Sequence, residues 1–95
     1  MNVNVYSVYD KVAELYTTPM FFNNDQAAMR AFKEAISDKQ HSMNKSPEDY
    51  VMCAIGFWND ETGELEKTKV VPICTSKSFL DKTKLKHPTG VAQTE

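Results

Sequence analysis

The sequence predicts an α+β fold: two antiparallel β-hairpins flanking one amphipathic helix, in the order ββαββ, with the helix packed on one face of the sheet. Three observations lead there. β-Branched and aromatic residues gather in two pairs of runs, each pair divided by a short polar turn. Between the pairs, one stretch changes from alternating to helical periodicity. With 95 residues, the chain has enough material for one modest core and too little for two.

The first hairpin is read from YSVYDKVAELYTTPMFF and the residues just before it. Residues 3–9 suit a strand, Lys11 to Glu14 a turn, and Leu15 to Phe22 the returning strand. Pro19 has no amide hydrogen to donate, so it places that second strand at an edge or marks a bulge or break in it. Asn23, Asn24, Asp25 and Gln26 then supply helix-start chemistry, with Gln26 at capping-box spacing from Asn23. The helix runs from near Asp25 to near Ser37, with Ala28, Phe32, Ala35 and Ile36 on its apolar stripe.

A polar linker from Asp38 ends around Pro47. The run YVMCAIGFW is a strand with almost no polar position, NDETGE a turn carrying Gly63, and LEKTKVVPIC the return strand. Beyond it, SKSFLDKTKLKH suits a short basic helix better than another edge strand, and PTGVAQTE a loose tail. The expected domain is therefore residues 1–75, followed by a basic segment and tail over 76–95.

Pairing Trp58 with Leu65 across the second turn sets Cys53 opposite Val70 and away from Cys74. The two cysteines are thus expected as unpaired thiols in a reducing compartment. No zinc motif groups them with His41 or His87, so neither metal nor cofactor is expected. The N-terminus MNVNVYSVYD lacks a basic start and an apolar h-region, and no run of eighteen apolar residues follows. A soluble, non-exported chain with no membrane partner is the expectation.

Charge is unevenly distributed. Through Glu66, five basic residues stand against eleven acidic ones; from Lys67 onward, six lysines stand against Asp81 and Glu95. Lys67, Lys69, Lys77, Lys82, Lys84 and Lys86 are where a polyanion would dock. Arg30, the only arginine, pairs with Glu34 one helical turn on or grips a phosphate or partner carboxylate. Phosphate-loop, GxGxxG, GxSxG and HExxH patterns are all absent, and no carboxylate pair has a histidine nearby in sequence, so catalysis is not expected.

Both sheet faces read as apolar. If Tyr9 pairs with Leu15, then Val3, Val5, Tyr9, Leu15 and Phe21 share one face, and Tyr6, Val8, Tyr16, Met20 and Phe22 the other. Trp58 is grouped with Tyr50, Met52 and Ala54. One short helix cannot cover two faces. The second needs the C-terminal segment, a second copy of the chain as a homodimer, or the bases of a single-stranded nucleic acid stacked on Tyr6, Tyr16, Phe22 and Trp58.

Several stretches together resemble a known family. YSVYDKVAELYTTPMFF resembles YS-Y-D-KA-x-x-Y-x-x-PFF, NDQAAMRAF resembles N-x-x-EA-x-RAF, and MNKSPEDYVMCAIGFWNDETG resembles x-NKxPEDFxLFxIGxFDxxTG. These patterns are those of the small nonstructural protein of gokushoviruses, single-stranded DNA phages of the Microviridae. Departures occur at Val12, at Ala27 and at Trp58-Asn59. The resemblance implies a phage accessory protein of the host bacterial cytoplasm that binds single-stranded DNA non-specifically during genome replication or the switch to packaging. The alternative is a dimeric adaptor for a viral or host replication or assembly protein, with no direct DNA binding.

Overall fold

In the computed structural model, which describes residues 2–79, the chain forms one antiparallel sheet of five strands: β1 (Asn2–Asp10), β2 (Leu15–Tyr16), β3 (Met20–Phe22), β4 (Tyr50–Asn59) and β5 (Leu65–Thr75). One helix, α1 (Asp25–Ser37), and two 3₁₀ turns at Ser42–Asn44 and Pro47–Asp49 join β3 to β4. The order across the sheet is β2-β1-β4-β5, with β3 following β2 along the same edge of β1.

This overturns the expected ββαββ arrangement. Strands take 45% of the described residues, and the two hairpins are not separate units on either side of a helix. β1 and β4 pair along their whole lengths, from Asn2 opposite Asn59 to Asp10 opposite Tyr50, and merge everything into one mainly β body. Nor does the helix by itself form a covering layer, because the core on its side of the sheet is shared with a 3₁₀ turn. Its fully buried residues are Ala28 and Phe32, and Met43 from a 3₁₀ turn shares the core with them. Tyr6, Val8, Met52 and Cys74 complete that cluster from the strands, and Phe79 packs against it with its ring centroid 6.2 Å from that of Phe32.

Local chemistry explains the element ends. Asn24, rather than Asn23, caps α1 by accepting from the Ala27 amide at 2.8 Å. Between β2 and β3 the returning strand breaks at Thr17–Pro19, where the proline cannot continue the ladder. Ser7 makes the gap good: its hydroxyl donates to the Thr17 carbonyl at 2.7 Å, and the Thr17 hydroxyl accepts from the Val8 amide at 3.0 Å. Gly63 closes the second hairpin at φ +78°, a conformation open to glycine at little cost.

Two register features decide which side chains share a face. At the first turn Asp10 pairs with Leu15 and Tyr9 with Tyr16, one residue away from the expected Tyr9–Leu15 pairing. In β4, Ile55 is an extra residue, because Val5 pairs with Gly56 and Tyr6 with Ala54. The β4–β5 pairing starts as expected, with Trp58 opposite Leu65, and then slips until Met52 faces Cys74 and Cys53 faces Pro72. The cysteines therefore lie on opposite faces of the sheet, both buried and neither in a disulfide.

Ser76 to Phe79 turn helical after β5. The expectations for a loose tail and for Lys82, Lys84 and Lys86 lie outside the described residues.

Candidate functional site

The helix-free face of the sheet is built by alternation along β1. Tyr6 and Val8 point into the core beneath α1, so Val3, Val5, Ser7 and Tyr9 point the other way. Each recruits a neighbour from the strands beside it. Tyr9 sits opposite Tyr16, with ring centroids 4.8 Å apart. Val5 pairs with Phe21 on one side and with Gly56 on the other, and Val3 pairs with Trp58. Phe21 and Trp58 meet edge to face at 5.8 Å and 69°.

Two aromatic pairs thus stand on one face, separated by the four-residue step from Val5 to Tyr9, about 13 Å at the usual strand rise. Three of the four rings are open to solvent, Tyr16 at 51%, Phe21 at 50% and Trp58 at 36%, as is Leu65 beside Trp58 at 67%. Tyr9 is half-buried, and Val5, Ser7 and Cys53 between the pairs are buried. Exposed apolar groups clustered in this way mark an interaction surface. Next to the Phe21–Trp58 pair lies a groove of about 540 Å³, lined by Val5, Phe21, Gly56, Leu65, Glu66 and Lys67 among others.

The expected stacking residues divide between the two faces. Tyr6 is completely buried on the helix side, where its hydroxyl donates to Asp25 Oδ1 at 2.6 Å and accepts from Asn4 Nδ2 at 3.1 Å. Burial, with the Asp25 hydrogen bond behind it, pushes the phenol up to about 12. Phe22 packs against Tyr6, centroids 5.7 Å apart, on the same inner side. Tyr6 is closed to a base, and Phe22 is half-buried on the face away from the two aromatic pairs. Tyr16 and Trp58 remain on the open face, joined by Tyr9, Phe21 and Leu65, which the sequence reading did not select.

Physical causes for this division are specific. The one-residue register change moves Tyr16 across the sheet, and the Ile55 bulge moves Trp58 away from Met52 and Ala54. A usable signal did exist in the sequence. A turn of Lys11 to Glu14 must be closed by Asp10 and Leu15, which sets Tyr9 opposite Tyr16, and Asp10 is a turn-forming residue whose carboxylate accepts from the Val12 and Ala13 amides.

Among the expected cationic residues, Lys67 borders the groove and Lys69 is exposed further along β5. Lys77 is exposed within the helical turn after β5. Arg30 is exposed on α1, across the sheet from the open aromatics. Among the described residues, no cluster of three or more His, Cys, Asp or Glu side chains could hold a metal ion, and no helix is long and apolar enough to cross a membrane.

The family described as Phage ORF5 protein matches residues 3–79, the span that forms the sheet and its helix. The chain belongs to the Phage ORF5 family. It is 31% identical over 88 residues to Protein ORF5 of Chlamydia phage 1, a match covering 85% of this chain and 92% of that protein. No solved structure matches it. The gokushovirus resemblance therefore holds at the level of the family, that of a small phage nonstructural protein. Its motif residues include Gly56, whose place beside Glu66 leaves no room for a side chain, and Pro47-Glu48-Asp49, a 3₁₀ turn whose Asp49 carbonyl accepts from the Lys11 amide at 2.9 Å.

Proposed function

We propose that this phage ORF5 protein binds single-stranded DNA without sequence preference, on the helix-free face of its sheet, while the genome is replicated or passed to packaging in the host bacterial cytoplasm. One observation carries the reading: two aromatic pairs stand on the same face, Tyr16, Phe21 and Trp58 exposed and Tyr9 half-buried, with Lys67 beside one pair. Aromatic rings accept the π-faces of any base, and lysines supply phosphate attraction without reading sequence. The role is one of binding rather than catalysis, and it calls for no metal or cofactor.

The body of the chain is acidic, which limits the lysines' reach and favours a short contact over a long charged channel. Titration of a labelled single-stranded oligonucleotide by fluorescence anisotropy, across salt and beside a duplex of the same sequence, tests the reading. The expected result is single-strand preference, with log K falling against log salt by roughly 0.7 per phosphate neutralised. Absence of binding at low salt would defeat it. The same face would then belong to a second copy of the chain or to a replication or assembly protein, and sedimentation would separate those two.

A further inference from the structure

Resting on that reading, we propose that the groove beside Phe21 is a subsite for one unstacked base, with the adjoining phosphate on Lys67. The floor of the groove is backbone. Gly56 lies opposite Val5, and the Glu66 carbonyl occupies the space that a Cβ on residue 56 would need. With no side chain at residue 56, a planar ring can approach the backbone there. Phe21, half exposed and braced edge to face by Trp58, forms one side, and Ile55 and Leu65 add apolar surface. At about 540 Å³ the groove falls within the roughly 300–1,000 Å³ range of small-molecule clefts.

Charge selects the occupant. Lys67 lies opposite Gly56 and so points to this face, whereas Glu66 lies opposite Phe57, on the other side of the strand, and brings its backbone rather than its carboxylate to the groove. An apolar slot with a cation at its rim complements a base with its phosphate. A purely aliphatic side chain from a protein partner would leave that cation unused.

The test compares two oligonucleotides of equal length, oligo(dT) and its abasic counterpart, which carry the same phosphates. Wild-type protein should bind oligo(dT) about tenfold or more tightly than the abasic strand, with the same salt slope and with quenching of Trp58 emission by oligo(dT) alone. Phe21→Leu should lower oligo(dT) affinity toward the abasic value and leave abasic binding unchanged. Lys67→Gln should weaken both and reduce the salt slope by roughly 0.7. Circular dichroism confirms that each variant is folded. Equal wild-type affinity for the two strands would overturn the subsite while DNA binding stood, as would a base preference that Phe21→Leu leaves intact. Failure of both strands to bind at low salt would remove the DNA-binding reading itself and the subsite with it.

Discussion

The Tyr6 hydroxyl donates to Asp25 Oδ1 at 2.6 Å and thereby ties the middle of β1 to the first turn of α1. A phenol buried in the core needs such a partner, and a carboxylate at a helix start is also favoured by the helix dipole. Replacing Tyr6 with Phe should cost about 1.5–3 kcal/mol, the usual worth of a hydrogen bond to a charged group, measured by urea denaturation. The pH dependence has a definite sign. Because the folded-state value is raised from 10.0 to about 12, the contribution is complete below pH 10 and is lost as pH rises toward 12. Tyr6→Phe should lack that component, so the gap between wild type and variant should narrow across this window.

Phe32 is the largest side chain that α1 sends into the core, and it is 1% exposed. Phe32→Ala should cost about 3–5 kcal/mol as a large-to-small change in a packed site. For a domain of this size each kcal/mol moves the melting temperature by about 4–8 °C, so calorimetry would register a large fall. An unchanged melting temperature would contradict the core described above.

Gly56 has a neighbour where a methyl group would go. The clash is with the Glu66 backbone, which cannot rotate away as a side chain can. Gly56→Ala should therefore destabilise by about 1–3 kcal/mol through overpacking, despite the better strand propensity of alanine. Chemical denaturation would measure the loss. A neutral result would mean that β4 and β5 separate at this point without cost.

Glu14 adopts φ +60° at the end of the first turn, its amide donating to the Asp10 carbonyl at 2.7 Å. The left-handed conformation costs an L-residue about 1–2 kcal/mol, and glycine gives back part of that gain as unfolded-state entropy. Glu14→Gly should stabilise the protein by up to about 1 kcal/mol, detectable as a higher melting temperature. A lower one would show that the Glu14 side chain makes up the backbone cost.

Cys53 and Cys74 sit on adjacent strands but face opposite ways, and burial pushes the Cys53 thiol up. Ellman's reagent should reach neither in the native protein and both in denaturant. Mild oxidation should leave the mass and the non-reducing gel mobility unchanged. An intramolecular disulfide in the native state would require a β4–β5 register different from the one described.

How far the sequence could be read depended on how local the deciding interactions are. Helix α1 occupies Asp25–Ser37 as expected, because capping and 3.6-residue periodicity are settled within a few neighbouring residues. The turn at Lys11–Glu14, the interruption at Pro19 and the tight turn at Gly63 follow from single-residue chemistry in the same way. Family membership was legible too, since its motifs are short and lie close together.

Tertiary structure alone decided which residues share a face. The Ile55 bulge and the slip between β4 and β5 arise from pairing whole strands, and β1 meets β4 from forty or more residues away. Local patterning cannot supply that, because both faces of these strands are apolar and either register buries something. A shift of one residue turned Tyr16 outward, one extra residue turned Trp58 to join it, and pairing with Val5 placed Phe21 between Trp58 and the groove. By itself the sequence determined that this chain carries more aromatic surface than its core needs, and the long-range register determined where that surface lies.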